Sequence, residues 1–103
     1  FESGTGTTKN GREAARWYRL AADAGQTDAM TNLGLMYEQG RGVPQDFAET
    51  VRLYTAAAAA GNPVAQTNLA TSYAEGRIVK QDFMQAAVWF RQAAAPGTRL
   101  DSR

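Results

Sequence analysis

The sequence repeats itself every 36 residues, and this repetition limits the possible folds more than any other feature. Aligned without a gap, residues 12–47 and 48–83 are identical at 18 of 36 positions. Glycine recurs at the same interval, as Gly25, Gly61 and Gly97. A repeat of this length predicts an α-solenoid, in which each unit buries its apolar face against the next unit.

Each unit contains two stretches in which apolar residues recur at helical spacing. Most of the stretches end at glycine, which adopts the left-handed conformation that closes a helix. Pro63 suits the first position of a helix, and Asn62 before it suits the cap. The pattern predicts five helices, at Arg12–Ala24, Thr27–Gln39, Phe47–Ala60, Pro63–Glu75 and Phe83–Ala95.

The second helix of each pair begins with a residue that can cap it, followed three positions later by Glu or Gln. This spacing is that of a capping box, in which the two side chains satisfy each other's backbone N–H groups. We therefore predict structural roles for the three pairs, which are Asn10 with Glu13, Asp46 with Glu49, and Asp82 with Gln85.

One face of each second helix carries small and aromatic residues and is expected to be buried. Gly34 and Ala70 leave room for close helix packing, and we interpret Trp17 and Trp89 as core or end-cap residues. The residues of the three faces are Ala15, Tyr18 and Ala22, then Val51, Tyr54 and Ala58, and then Ala87, Phe90 and Ala94.

Two motifs carry a resemblance to a known family. Residues 37–46 read Y-x-x-G-x-G-V-x-x-D, and residues 14–25 read A-x-x-W-Y-x-x-A-A-x-x-G. Both closely resemble the Sel1-like repeat, a relative of the tetratricopeptide repeat. The second copy departs from the pattern at Leu53, Ile78 and Lys80.

The resemblance implies an all-α fold, a short right-handed superhelix whose concave face is lined by the first helix of each pair. It covers residues 10–97, as a half repeat at 10–25 and full repeats at 26–61 and 62–97. We expect residues 1–9 to form a flexible arm and residues 98–103 a tail. Members of this family are adaptors that gather other proteins, and no catalytic residue belongs to the repeat.

By resemblance to tetratricopeptide grooves, one stripe of each first helix is expected to face a partner. This stripe lies beside the packing residues and is polar and mildly acidic, which suits an extended or helical peptide. The candidate partner-binding residues are Asp28, Thr31, Asn32, Leu35, Glu38, Gln39, Thr67, Asn68, Thr71 and Glu75. For Asn32 and Asn68, binding a peptide backbone and joining neighbouring helices are equally open.

Composition narrows the possible chemistry. The 103 residues include no cysteine and no histidine, and the net charge is +1. Disulfides, cysteine or histidine catalysis and the usual zinc sites are thereby excluded, and we expect no cofactor, no metal and no catalytic residue. A nucleic-acid binder would show a basic excess, and no apolar run has the roughly 20 residues that cross a bilayer. Arg41 and Arg77 are expected to bond turn carbonyls or nearby carboxylates.

Three hypotheses about function follow. The first is a non-catalytic module that binds a protein or peptide partner on the concave face. The second, suggested by some proteins with similar repeats, is a small hydrolase acting on a cell-wall-like substrate. The third is a structural protein that self-associates through uncapped solenoid ends around Trp17 and Trp89. The compartment stays open between the cytoplasm and, if a signal peptide was removed, the periplasm or exterior.

Overall fold

The computed structural model describes residues 9–94, and within them the chain forms five helices and no strand. The helices are α1 (Lys9–Asp23), α2 (Thr27–Gln39), α3 (Phe47–Ala59), α4 (Pro63–Glu75) and α5 (Phe83–Ala94). The predicted all-α solenoid with five helices is confirmed, and the bounds of α2 and α4 agree with the prediction. The segments 1–8 and 95–103, which contain the predicted arm, Gly97 and the predicted tail, lie outside the described residues.

The helix ends follow from the capping residues. The Asp46 carboxylate accepts a hydrogen bond from the backbone N–H of Glu49 at 3.1 Å, and the Asn62 amide oxygen accepts from that of Ala65 at 3.0 Å. At the other end, Gly40 and Gly76 take left-handed φ values of 70° and 69°. These local rules explain why the helix positions can be derived from the sequence.

In α3 and α5, only one of the two hydrogen bonds of the predicted capping box forms, namely the one that the aspartate side chain accepts. The Asp82 carboxylate accepts from the backbone N–H of Gln85 at 3.1 Å, as Asp46 does in α3. The return bond is absent because the Asp46 and Asp82 N–H groups donate to the carbonyls of Tyr37 and Tyr73, each at 2.9 Å. The preceding turn therefore satisfies the backbone N–H of each capping aspartate, which the Glu or Gln side chain would satisfy in a complete capping box.

The prediction that Asn10 caps α1 is wrong. The helix already begins at Lys9, so Asn10 lies inside its first turn. Glu13, the expected partner, binds Arg16 on the next turn at 2.6 Å. An ion pair on the helix surface thus uses the carboxylate that the capping box required.

Consecutive helices pack against each other, and α2–α3 and α4–α5 form the two tightest hairpins. At the first hairpin the Thr50 hydroxyl donates to the Gly34 carbonyl at 2.9 Å, because Gly34 has no side chain to separate the helices. Two buried clusters make up the core. The first is Ala15, Ala22, Ala29, Leu33, Met36 and Leu53, and the second is Tyr54, Ala57, Ala58, Ala65, Leu69 and Ile78.

The ends of the described solenoid differ from the predicted packing. Trp17 is 68% exposed and is not a core residue, whereas Trp89 packs against the second cluster. The expected buried face of α5, including Ala87 and Phe90, is also exposed. The physical reason is the same at both ends, since no described helix covers these faces as α2 covers Leu53 and α4 covers Tyr54.

Candidate functional site

A cavity of about 210 Å³ opens between the first helices of the two repeats. Its wall is formed by one face of α2, one face of α4 and the turn after α4, with an α3 side chain beneath. We call it the groove cavity, and its lining residues are Leu35, Glu38, Tyr54, Asn68, Thr71, Ser72, Glu75 and Arg77.

Half of the predicted binding residues line this cavity. They lie at helical spacing on α2 and α4, and the stacking of the two repeats brings the two sets together. These residues are Leu35, Glu38, Asn68, Thr71 and Glu75.

A hydrogen-bonded network closes the floor of the groove cavity. The buried Tyr54 hydroxyl donates to the Glu38 carboxylate at 3.1 Å. The same carboxylate accepts from the guanidinium of Arg77, which also forms an ion pair with Glu75 at 3.9 Å. With 14% of its side chain exposed, Glu38 is held inside the structure between these partners.

The electrostatics of the network follow from burial and charge. Burial, together with the nearby Glu38 carboxylate, raises the pKa of Tyr54, so that the phenol stays neutral and donates its hydrogen. The hydrogen bond to Glu38 raises the pKa of Arg77 further above its ordinary range. The cavity therefore combines two carboxylates with one fixed guanidinium and is net negative.

Two polar side chains of the groove cavity face its opening, Thr71 without a partner among the described residues and Asn68 in contact with the Tyr54 hydroxyl. Within residues 9–94, the Thr71 hydroxyl makes no hydrogen bond, whereas the neighbouring Ser72 hydroxyl donates to the Asn68 backbone carbonyl at 2.8 Å. The Asn68 side chain borders the Tyr54 hydroxyl and lines the opening. An amide and a free hydroxyl together provide a donor and an acceptor, which is what a peptide backbone requires.

The remaining predicted residues lie elsewhere. Thr31 is 6% exposed and donates its hydroxyl hydrogen to the Thr27 carbonyl at 2.9 Å, so its prediction as a surface binding residue is wrong. Asp28 accepts a hydrogen bond from Asn62 at 2.7 Å, in the first turn of α2. Three exposed residues lie outside the cavity lining, namely Asn32, Gln39 and Thr67.

Tyr54, Ser72 and Arg77 line the cavity but are not among the binding residues predicted from the sequence. Arg77 does bind carboxylates, as expected for that position. The alignment of the repeats does contain a signal that Glu38 and Tyr54 are in contact. In the next unit these two residues correspond to Ala74 and Phe90. Both members of the polar pair change to apolar residues together in the next unit, as two residues in contact would.

Neither a membrane span nor a metal site is found in the part of the chain that the structure describes. No helix there is long and apolar enough to cross a membrane. No group of three or more acidic side chains there is placed to hold a metal ion.

Comparison with known families identifies the repeat. The model of the Sel1 repeat matches residues 1–26, 27–62 and 63–97. The chain belongs to the Sel1 repeat family. The first match includes residues 1–9, the segment for which we predicted a flexible arm. Sel1 repeat proteins generally mediate protein–protein interactions and are generally non-catalytic.

Solved structures of Sel1 repeat proteins have the same fold. The crystal structure of c5321, a protective antigen present in uropathogenic Escherichia coli strains and displaying an SLR fold, is 38% identical with a TM-score of 0.79. A Sel1 repeat protein from Oxalobacter formigenes is 40% identical with a TM-score of 0.77. The matches cover 84% and 81% of this chain but only 19% and 34% of those proteins. Among curated proteins, none matches this chain.

Proposed function

We propose that this Sel1 repeat chain is a non-catalytic interaction module that binds a peptide segment of a partner protein along α2 and α4. The observation that carries the proposal is the groove cavity, where stacking of the two repeats joins Leu35, Asn68 and Thr71. Repeat packing leaves the Thr71 hydroxyl unused and Leu35 36% exposed. The surface thus offers hydrogen bonds and an apolar contact without any movement of the fold.

The chemistry of the groove cavity favours an extended peptide with a basic side chain. Asn68 and Thr71 are placed to hydrogen-bond the peptide backbone, and Leu35 offers an apolar contact. Glu75, which is more than half exposed, is available to a cation because its bond to Arg77 is long at 3.9 Å. The shape and charge give this surface the properties of a peptide-binding site.

Binding to an array of peptides tests the proposal. The test variant is Asn68→Ala with Thr71→Ala, both on α4. The matched control is Asn32→Ala with Thr67→Ala, which changes the same residue types on α2 and α4 outside the cavity. Two hydrogen bonds at about 1 kcal/mol each predict a loss of affinity of roughly tenfold or more for the test variant alone. Equal losses in both variants, or an array without any bound peptide, would contradict the proposal.

The competing hydrolase hypothesis can be tested with the same purified protein. An activity screen on cell-wall-like substrates is expected to show no turnover. Turnover that is abolished by one change, such as Glu75→Gln, would overturn the non-catalytic function.

Self-association is a second candidate, supported by the exposed apolar end faces. Trp17 lies on one end, and Phe83 and Met84, which are 68% and 81% exposed, lie on the other. Light scattering over a range of concentrations is expected to show association in the wild type and less of it in Phe83→Ser with Met84→Ser. A molar mass that stays monomeric at all concentrations would rule this candidate out.

A further inference from the structure

A second cavity, of about 290 Å³, lies between α1, α2 and the turn that follows α2. It has an apolar floor and a wall of arginine side chains from α1. We call it the arginine cavity, and its lining residues are Arg12, Ala15, Arg16, Arg19, Leu33, Tyr37, Gly42 and Val43.

Arg19 is fixed in position at the inner end of the wall. Its guanidinium donates to the Tyr37 hydroxyl at 3.0 Å and to the Glu49 carboxylate at 3.1 Å. The guanidinium carbon also lies 5.8 Å from the centre of the Tyr37 ring, within the range of a cation–π interaction. One positive charge is therefore held in place beside the apolar floor.

The two outer arginines are free to bind a ligand. In the described part of the chain, Arg12 forms no hydrogen bond or ion pair. Arg16 is 74% exposed and, within residues 9–94, pairs only with Glu13, three residues earlier on the same helix. An exposed pair of this kind contributes little to stability, so Arg16 can exchange it for a carboxylate of a partner.

The next repeat shows that stacking does not require Arg12 or Arg19, whereas Arg16 has a counterpart in Arg52. At the corresponding positions, Ala48 replaces Arg12 and Thr55 replaces Arg19. Ile78, which replaces Gly42, is 8% exposed and belongs to the buried core. The second repeat thus packs with an apolar side chain in this turn. In the first repeat the α1 backbone at Gly11 and Arg12 leaves no room for a side chain at Gly42, and charged side chains line the cavity beside it.

The two cavities differ in charge. Among the described residues around the arginine cavity, the guanidinium groups of Arg12, Arg16, Arg19 and Arg52 outnumber the nearby carboxylates. These carboxylates are Glu13, Glu49 and, close to Arg52, Asp23. The groove cavity is net negative. One surface therefore suits a basic peptide, and the other requires an acidic one.

We propose that the arginine cavity binds an acidic peptide segment of a partner protein. One apolar side chain of the segment enters the cavity against Leu33 and Val43, and flanking carboxylates bind Arg12 and Arg16. The volume of about 290 Å³ lies just below the range of about 300–1,000 Å³ for pockets that hold a drug-sized ligand, so the cavity suits a single side chain. This binding surface lies on residues other than those of the proposed function and stands or falls separately.

Fluorescence anisotropy with labelled synthetic peptides tests the proposal. The first probe is Gly-Glu-Glu-Leu-Glu-Glu-Gly, the second has Ser in place of Leu, and the third has Lys in place of every Glu. The first probe is expected to bind most tightly, the third not at all, and added salt is expected to weaken binding because the outer charges are exposed. Equal binding of the first and second probes, or no effect of salt, would overturn the proposal.

Substitutions locate the binding on the molecule. Arg12→Gln with Arg16→Gln removes both outer charges and keeps good helix formers, so the fold is expected to persist, as circular dichroism would verify. The matched control is Arg91→Gln, which lies on α5 at the position corresponding to Arg19 and outside the cavity. Two exposed ion pairs predict a loss of affinity of about fivefold to tenfold for the double variant only.

Two results would place the binding elsewhere. One is an affinity of the double variant equal to that of the wild type. The other is an equal loss in Arg91→Gln, which would indicate attraction by overall charge. Binding of a single-stranded oligonucleotide more tightly than the first probe would also overturn the proposal, since it would indicate a polyanion surface without an apolar anchor.

Discussion

Tyr54 donates its hydroxyl hydrogen to the Glu38 carboxylate at 3.1 Å and thereby connects α3 to α2 beneath the groove cavity. Tyr54 is 1% exposed, so the removal of its hydroxyl leaves a buried carboxylate with one partner fewer. The bond thus contributes to the stability of the surface proposed to bind peptides.

Tyr54→Phe is expected to lower the free energy of unfolding by about 1 kcal/mol, because Arg77 still neutralises Glu38. Urea unfolding followed by circular dichroism measures the change. Tyr73→Phe is the matched control, since the Tyr73 hydroxyl makes no hydrogen bond within the described residues, and little change is expected there. A larger loss in the control would contradict the prediction.

Gly34→Ala is expected to destabilise the protein although alanine favours helices. An added Cβ would lie 2.8 Å from Cε1 and 2.9 Å from Cδ1 of the buried Tyr54 ring. Overpacking of a core costs about 1–3 kcal/mol, which exceeds the gain of up to about 1 kcal/mol in helix propensity. Thermal unfolding decides the sign, and a raised melting temperature would show that the ring can move aside.

The corresponding position in α4 offers a comparison in the opposite direction. Ala70 is fully buried there, in the hairpin that α4 forms with α5. Ala70→Gly is expected to destabilise by about 1 kcal/mol or more, from lost helix propensity and lost packing. If glycine is the more stable residue at position 34 and alanine the more stable one at position 70, the α2–α3 hairpin is packed more closely than the α4–α5 hairpin.

Asn62→Ala is expected to be among the more damaging changes to a polar residue. The buried Asn62 side chain caps α4 and donates to Thr27 at 3.0 Å and to Asp28 at 2.7 Å, which joins the starts of α2 and α4. Loss of the cap and of these bonds predicts a decrease of about 2–3 kcal/mol in the free energy of unfolding. Chemical denaturation measures it.

Asn62→Asp separates the two roles of this residue. Aspartate can still cap α4, but it has no N–H to donate and its charge would face Asp28. A negligible loss of stability in the aspartate variant would assign the stabilisation to the cap. A loss as large as in the alanine variant that also persists in Asn62→Asp with Asp28→Asn, where the facing charge is gone, would assign it to the bonds toward α2.

Acid is expected to weaken the two ion pairs of Glu49, one with Arg19 on α1 and one with Arg52 on α3 itself. Hydrogen bonds from Arg52 and Arg19 lower the pKa of Glu49 from its ordinary value of 4.5 to about 2. A carboxylate with a lowered pKa in the folded state adds stability above its unfolded pKa and loses it as the pH falls. The contribution of Glu49 is therefore complete above about pH 4.5 and disappears toward pH 2.

Glu49→Gln tests this contribution, and glutamine already occupies the corresponding position as Gln85. The variant is expected to be less stable than the wild type at pH 7, with a difference that shrinks between about pH 4.5 and pH 2. Melting temperatures across this range provide the measurement. A difference that does not change with pH would mean that the ion pairs do not stabilise the fold.

The positions of the helices follow from the sequence because their signals are local. The cap at Asn62, the proline after it and Gly76 at the end define α4 within a single stretch of chain. The 36-residue register then transfers the same assignment to the other unit, which is why α2 and α4 have the predicted bounds. The start of α1 differs because an ion pair between Glu13 and Arg16 replaces the expected capping box.

Contacts between residues that are far apart in the sequence decide which side chains form the binding surface. Helical spacing placed Thr31 on the same stripe as Leu35, but only the packed structure buries Thr31. Tyr54 and Arg77 reach the groove cavity from other parts of the chain and meet at Glu38. The chain order thus defines the repeat and its helices, whereas burial and charge pairing between neighbouring units decide which side chains a partner can reach.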